Sequence, residues 1–213
     1  IDVADASSLE RNLYLTLQLL ELGKPVVLAL NMMDIVQKRG IEIDLHRFPE
    51  MLGIPVIPIS ARENRGLDIL MHAVAHHHHL HQEGRSPLIH NHSNKSRHRH
   101  QHHEEYAMVY SDEIEDKIDH IIAVLKVRYS DIKNHRWTAI KLLEQDPEIT
   151  EHYPVDLPEV LDRSYEQDII NQKYDFIEEI MDEIMVHRET REEMTNRIDR
   201  ILTDNWLGLP SFL

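Results

Sequence analysis

Hydrophobic and polar residues alternate in the first third of the chain in a pattern that predicts a helix followed by a buried strand. Ser7 and Ser8 are good helix N-caps, and leucines follow them at helical spacing as far as Gly23. Residues 26–30 are then continuously apolar, which is typical of a strand buried on both faces of a parallel sheet. This apolar run ends abruptly at Asn31.

A second unit of the same kind follows. Asp44 is placed to cap a short helix that ends before Gly53, and residues 55–59 form another apolar run, which ends at Ser60. Residues 1–4 look like the end of an earlier strand, and residues 66–75 carry apolar side chains at helical spacing. Helices that alternate with buried strands predict the α/β class with a parallel sheet.

The pattern after residue 104 is helical. Apolar stripes predict one helix from Ser111 to about Tyr129, a second that ends before Pro147, and a longer third one over residues 169–184. A capping box that begins at Thr190 predicts a last, amphipathic helix. We therefore expect an all-α helical domain after the α/β region.

Charge and histidine divide the 213-residue chain near the same place. Residues 1–103 carry 11 acidic and 11 basic side chains, so the whole formal charge of −15 arises in residues 104–213. Twelve of the 17 histidines fall between His72 and His103. An acidic balance gives no sign of nucleic-acid binding, and the absence of cysteine excludes disulfides, thiolate metal sites and cysteine nucleophiles.

Polar residues follow both apolar strands at the edge of the sheet where ligands bind. In an open parallel sheet this edge lies beyond the carboxyl ends of the strands, which is where Asn31, Asp34 and Ser60 to Arg62 are placed. A carboxylate at Asp34 accepts two hydrogen bonds, and guanine offers an adjacent ring N–H and exocyclic amine where adenine does not. Asn31 would brace the neighbouring loops, and the backbone N–H of Ala61 would reach the guanine carbonyl. Buried polar partners reject an analogue that lacks them by a factor on the order of 10⁴, so this arrangement predicts base selection.

Asparagine and aspartate after a strand are more often turn formers than ligand-binding groups, so the first motif alone would favour a structural role. The second motif changes this interpretation. Asn31-Met32-Met33-Asp34 followed by Ser60-Ala61-Arg62 resembles the paired guanine-recognition motifs of P-loop GTP-binding proteins. The stretches 5–21 and 29–34 resemble the cytoplasmic GTPase domain of the ferrous iron transport protein B (FeoB) family. This resemblance implies that GTP or GDP binds through the following residues: Asn31, Met32, Asp34, Ser60, Ala61 and Arg62.

Later segments extend the resemblance. Residues 136–144 resemble the helical domain that follows the GTPase domain in this family and is thought to slow nucleotide release. Residues 197–210 resemble the approach to the first membrane helix, and Trp206 suits a membrane interface. The resemblance thus implies an internal piece of a GTP-dependent Fe²⁺ transporter, held at the cytoplasmic face of the inner membrane by a downstream membrane domain of the same polypeptide. It divides the chain into the C-terminal part of a GTP-binding domain (1–82), a His-rich flexible insertion (83–103), a helical regulatory domain (104–188) and a membrane-proximal amphipathic linker (189–213).

The phosphate-binding motif of the family is missing from these residues. None of the six glycines begins a Gly-x-x-x-x-Gly-Lys-Ser/Thr loop, and no Asp-x-x-Gly follows a strand. In the family both motifs lie upstream, together with the residues that bind Mg²⁺. Phosphoryl transfer depends on positioning and neutralising the phosphates, so we expect no catalytic residue here and no GTP hydrolysis by this polypeptide alone.

The histidine-rich segment predicts metal binding without choosing a site. Imidazole is a common metal ligand that suits Zn²⁺ or Ni²⁺ better than Fe²⁺, and many registers are available. We expect helical order to end near the start of this segment. An equally good interpretation is a low-complexity insertion that gains positive charge as the pH falls. The candidate metal ligands are His76, His77, His78, His79, His81, His98, His100, His102 and His103.

Two other functions stay open on the sequence. One is a soluble regulatory GTPase without a transport role, and the other is a non-enzymatic metal-buffering module built on the histidines. A homo-oligomer is also an arrangement that the sequence allows.

Overall fold

The computed structural model describes residues 1–82 and 108–186, and for residues 77–82 it describes the backbone alone. The whole predicted insertion (83–103) and the whole predicted linker (189–213), together with the predicted ligands His98, His100, His102 and His103, therefore lie outside the described residues.

In the part of the chain that the structure describes, the sheet has three parallel strands, as the apolar runs predict. They are β1 (Asp2–Asp5), β2 (Leu28–Asn31) and β3 (Val56–Pro58), in the order β1-β2-β3. Ala29 of the central strand pairs with both Val3 and Ile57, and β2 is buried up to its last residue. The carboxyl ends of β2 and β3 consequently lie side by side.

The predicted helices of the α/β region are present in the predicted order. After a 3-10 turn (Ala6–Ser8) come α1 (Leu9–Glu21), α2 (Met33–Lys38), α3 (Arg47–Leu52) and α4 (Leu67–Gln82). Helix α2, which directly follows β2, was not predicted. The prediction for Asp44 is confirmed in part: its Oδ1 accepts the backbone N–H groups of His46 and Arg47 at 2.9 Å, but His46 occupies the N-cap position of α3.

Two predicted helix ends differ in detail. Ser8 occupies the N-cap position of α1 as predicted, but its side chain makes no capping hydrogen bond, and the carboxylate of Asp5 accepts both the N–H and the hydroxyl of Ser7, at 2.8 and 2.7 Å. The helix predicted over residues 66–75 is also longer than expected, since α4 continues to Gln82. Histidine has only a moderate helix penalty, so a helix already anchored by its apolar residues can continue through a polar run.

Where residues 108–186 are described, the second region contains four helices: α5 (Asp112–Arg128), α6 (His135–Leu143), α7 (Pro147–His152) and α8 (Glu166–Ile184). Helix α7 is not predicted by the sequence pattern, because Pro147 indicates the end of α6 as readily as the start of another helix. Proline is favoured in the first turn of a helix, and Asp146 caps this one by accepting the N–H groups of Glu148 and Ile149 at 3.1 Å.

The end of α8 packs into the α/β region. Its residues Ile177, Ile180 and Ile184 belong to the same buried cluster as Leu13 and Leu17 of α1. Two backbone hydrogen bonds continue this contact, one from the N–H of Asp44 to the carbonyl of Ile184 (2.7 Å) and one from the N–H of Val186 to the carbonyl of Glu42 (3.0 Å). The first half of α8 packs with α5 and α6 in a second cluster, so this one helix links the two regions.

Within the described residues, no helix combines the length and the apolar character that a membrane span requires.

Candidate functional site

A sharp turn after β2 positions the first pair of predicted site residues. Asn31 is the last residue of the strand, Met32 has a left-handed backbone (φ 66°), and α2 begins at Met33. Only one residue separates strand from helix, so Asp34 in the first helical turn lies close to the end of β3. The side chain of Met32 is 40% exposed at this turn.

Asp34 is the buried centre of the site. It is 2% exposed, and its Oδ1 accepts a hydrogen bond from the Ser60 hydroxyl at 2.9 Å. Its Oδ2 is buried without a hydrogen-bond partner, and the nearest cation is the Lys38 ammonium at 3.7 Å. The hydrogen bond from Ser60 holds the pKa of the Asp34 carboxyl below its usual value, and the charges of Lys38 and Arg62 act in the same direction. Asp34 is therefore a charged acceptor at neutral pH.

The second motif contacts the first directly. The backbone N–H of Ala61 donates to Oδ1 of Asn31 at 3.1 Å, so Asn31 ties together the loops that follow β2 and β3. The donor that the sequence analysis assigned to a guanine carbonyl is thus held by an asparagine side chain. A base that bound here would compete with Asn31 for this N–H.

The loop after β3 is closed by its own backbone. Ser60 and Arg65 exchange two hydrogen bonds, from each N–H to the other carbonyl, at 3.1 and 3.0 Å. Gly66 then turns the chain into α4 with φ 78°, and a Cβ at this position would lie 2.4 Å from the carbonyl oxygen of Pro58. Arg62 is exposed within the loop.

These contacts define what the arrangement can do chemically. Five of the six predicted residues approach one another at the adjoining ends of β2 and β3, and Arg62 extends from the same loop. The unpartnered Oδ2 of Asp34 is an acceptor that fits a ligand with clustered N–H donors. Because Asp34 is 2% exposed, such a ligand reaches its carboxylate only after the residues that cover it have moved.

The predicted metal ligands are placed only in part. His76 is exposed on α4, and His77, His78, His79 and His81 lie on the same helix, in the part where the backbone alone is described.

A polar cluster that the sequence analysis missed joins the two regions. Glu21, the last residue of α1, accepts hydrogen bonds from the Tyr110 hydroxyl and, at 3.0 Å, from the ammonium of Lys173. Its backbone carbonyl also accepts one from the Asn134 side chain at 2.7 Å. The sequence contains one signal of this cluster. Lys173 lies between Ile169 and Ile177 on the apolar stripe of α8, and a charged group at a core position needs a partner.

The charges of this cluster are largely screened from water. The side chain of Lys173 is 1% exposed and that of Glu21 is 14% exposed. Burial raises the pKa of the Tyr110 hydroxyl well above its ordinary value, and the neighbouring Glu21 carboxylate raises it further. Tyr110 therefore stays protonated and donates to Glu21.

Comparison with known proteins assigns both regions to one family. The family model described as "Ferrous iron transport protein B" matches residues 1–74, and the model "FeoB cytosolic helical domain" matches residues 110–186. Among curated proteins, the chain is 28% identical to the Fe(2+) transporter FeoB of Staphylococcus aureus strain MSSA476 and 33% identical to that of Escherichia coli K12. Each alignment covers 100% of this chain, but only 31% and 26% of the relative. The chain thus spans less than a third of the length of these relatives.

Solved structures give the same result for the fold. The GMPPNP-bound NFeoB of S. thermophilus is 29% identical with a TM-score of 0.64, covering 87% of this chain and 66% of the other. The cytosolic domain of L. pneumophila FeoB is 31% identical with a TM-score of 0.63 and the same coverage. The matches extend over the parallel sheet and the helical region in order, and the chain belongs to the FeoB family of ferrous iron transport proteins.

Proposed function

We propose that the loops after β2 and β3 read the guanine base of GTP or GDP, and that the helical region responds to that binding. The observation that carries the proposal is the buried carboxylate of Asp34, with one oxygen held by Ser60 and the other without a hydrogen-bond partner. A fixed, charged acceptor of this kind suits the adjacent ring N–H and amine of guanine. Nucleotide-bound structures among the relatives, with GDP or GMPPNP, support this choice of ligand.

At the level of the whole protein, we propose that these residues belong to a GTP-dependent Fe²⁺ transporter. In this proposal Fe²⁺ is the transported ion, Mg²⁺ accompanies the nucleotide phosphates, and a membrane domain of the same polypeptide places the chain at the cytoplasmic face of the membrane. Matches to FeoB in both regions favour this function over a soluble regulatory GTPase. The predicted histidine ligands and self-association stay predictions.

The proposal that these loops recognise guanine is tested by replacing the carboxylate of Asp34. Asp34→Asn replaces an acceptor pair by one acceptor and one donor, which matches the N–H and carbonyl of xanthine instead of the N–H and amine of guanine. We expect the native chain to prefer GMP to AMP and XMP, and Asp34→Asn to prefer XMP by about tenfold or more. The measurement is the displacement of the Ser60 and Ala61 amide resonances by each nucleotide at millimolar concentration.

Asp44→Asn is the matched control. Asp44 also begins a helix after a loop and accepts backbone N–H groups, but it lies away from the ends of β2 and β3. This control is expected to keep the guanine preference. Equal responses to GMP and AMP in the native chain, or an unchanged preference in Asp34→Asn, would show that the loops do not read guanine.

A further inference from the structure

The exposed face of α4 brings two histidine rings into contact. His72 and His76 are four residues apart, and their ring centres are separated by 4.2 Å with the ring planes at 51°. Both side chains are exposed, whereas Leu70 and Val74 of the same helix pack against the sheet. The pair therefore faces solvent on a helix that is anchored by other residues.

We infer that His72 and His76 together chelate one divalent transition-metal ion of the class of Cu²⁺, Ni²⁺ or Zn²⁺. Residues at i and i+4 share one face of a helix, so two imidazoles at this spacing can bind the same ion. Metal–nitrogen bonds of about 2.0–2.1 Å require the rings to converge, and these rings already lie in contact. Imidazole ligands bind Cu²⁺ more strongly than Zn²⁺ or Fe²⁺ by the Irving–Williams order.

The structure gives a defined geometry to one of the registers that the sequence leaves open. Twelve histidines between residues 72 and 103 allow many pairs, and His72 is the member that precedes the histidine run. Because α4 is helical through both residues, the i and i+4 relationship becomes a fixed geometry. Asp68 is exposed one helical turn earlier and adds negative charge near the pair.

The residues around His72 and His76 also determine how tightly we expect the pair to bind a metal ion. Among the residues with described side chains, no group of three or more His, Asp or Glu is arranged to hold a metal. Solvent molecules therefore complete the coordination shell, and the pair binds one exchangeable ion instead of forming a closed structural site. This site is independent of guanine recognition, because none of its residues belongs to the loops after β2 and β3.

The test isolates the pair within the full 213-residue chain. Every histidine from His77 to His103 is replaced by Gln, which leaves His72 and His76 as the histidine pair on α4. Calorimetry with Cu²⁺ and Zn²⁺ is expected to show about one equivalent bound, and the His72 and His76 ring resonances to respond together to substoichiometric Zn²⁺.

The control keeps the number of histidines and changes their register. In the same background, Met71→His combined with His72→Ala moves one imidazole to five residues before His76, and Met71 is 62% exposed, so the change is tolerated. We expect this variant to bind about tenfold or more weakly, because the second imidazole no longer acts as an intramolecular ligand. Equal affinities in the two chains, or no binding by the chain that retains His72 and His76, would overturn the inference; circular dichroism verifies that both are folded.

Discussion

The ammonium nitrogen of Lys173 lies 3.0 Å from Oε2 of Glu21, although the two residues are 152 positions apart in the chain. Tyr110 donates to the other oxygen of the same carboxylate, and Asn134 donates to the backbone carbonyl of Glu21. One residue at the end of α1 thus holds three side chains of the helical region. The stacked rings of Tyr14 and Tyr174, with centres 5.2 Å apart, add an aromatic contact between α1 and α8.

Removal of the buried cation should destabilise the fold. Lys173→Met keeps most of the side-chain volume but leaves the Glu21 carboxylate without its ammonium partner. We expect a loss of about 3 kcal/mol in the free energy of unfolding, as is typical when one partner of a buried pair is removed. Urea unfolding measures the loss, and Lys126→Met at an exposed position of α5 is the control, with an expected change within about 0.5 kcal/mol. Similar values for the two variants would contradict a buried pair at Glu21.

Tyr110 should make stability decrease in alkaline solution. Its pKa is raised in the folded chain, mainly by burial and then by Glu21, so the unfolded chain releases this proton first. The contribution is complete below the unfolded pKa of about 10 and is lost as the pH rises above it. Tyr110→Phe should cost about 1–2 kcal/mol at pH 8, and the difference from the native chain should shrink between about pH 10 and pH 11.

Urea unfolding at several pH values measures this difference. Tyr129→Phe removes a hydroxyl that donates to an exposed carbonyl of Pro154, and it should cost less at pH 8. A Tyr110→Phe difference that stays constant up to pH 11 would be evidence against a raised pKa.

Ser60 should control the ionisation of Asp34. The hydrogen bond from its hydroxyl is the main cause that lowers the Asp34 pKa, so Ser60→Ala should move this pKa up towards its usual value. A lowered carboxyl pKa stabilises the fold above the unfolded pKa of about 3.9, and this stabilisation disappears as the pH falls through the folded value. The stability difference between the native chain and Ser60→Ala should therefore shrink below about pH 4.

An NMR titration of the Asp34 carboxyl carbon measures the shift directly. Ser164→Ala, which removes a hydroxyl that donates to the Glu144 carbonyl, is expected to leave the Asp34 titration unchanged. If Ser60→Ala also leaves it unchanged, the hydrogen bond is not the cause of the low pKa.

Two glycines with similar backbones should respond differently to substitution. Gly66→Ala places a methyl group 2.4 Å from the Pro58 carbonyl, whereas a Cβ at Gly53 meets no atom within 4 Å. Both residues have a left-handed backbone, so Gly53→Ala should cost about 1–2 kcal/mol and Gly66→Ala clearly more. Urea unfolding compares the two, and the Ser60 and Ala61 amide resonances report whether the loop after β3 has moved. Equal costs would mean that the Pro58 contact relaxes without strain.

The sequence by itself determined most of the elements, with the exceptions of α2 and α7, and the positions of the two motifs. Apolar runs at residues 26–30 and 55–59 predict buried parallel strands because burial on both faces leaves no polar alternation, and the structure confirms the sheet, with slightly later strand starts. The hydrogen bonds of Asp44 at the start of α3 were predictable because they involve residues two and three positions away. The family resemblance could be recognised in the sequence for a related reason, since each motif, Asn31 to Asp34 and Ser60 to Arg62, is a continuous stretch of the chain.

Only the tertiary structure decided how these pieces meet. Three contacts join residues that no local sequence pattern relates. They are the hydrogen bond from Ser60 to Asp34, the ion pair of Lys173 with Glu21, and the packing of the end of α8 against α1. The physical reason is that a buried charge or polar group must find its partner in space, wherever packing brings one, while helix and strand periodicity depends on near neighbours alone. The same packing holds α4 in helical form beneath the contact between His72 and His76, where the sequence shows only a run of histidines.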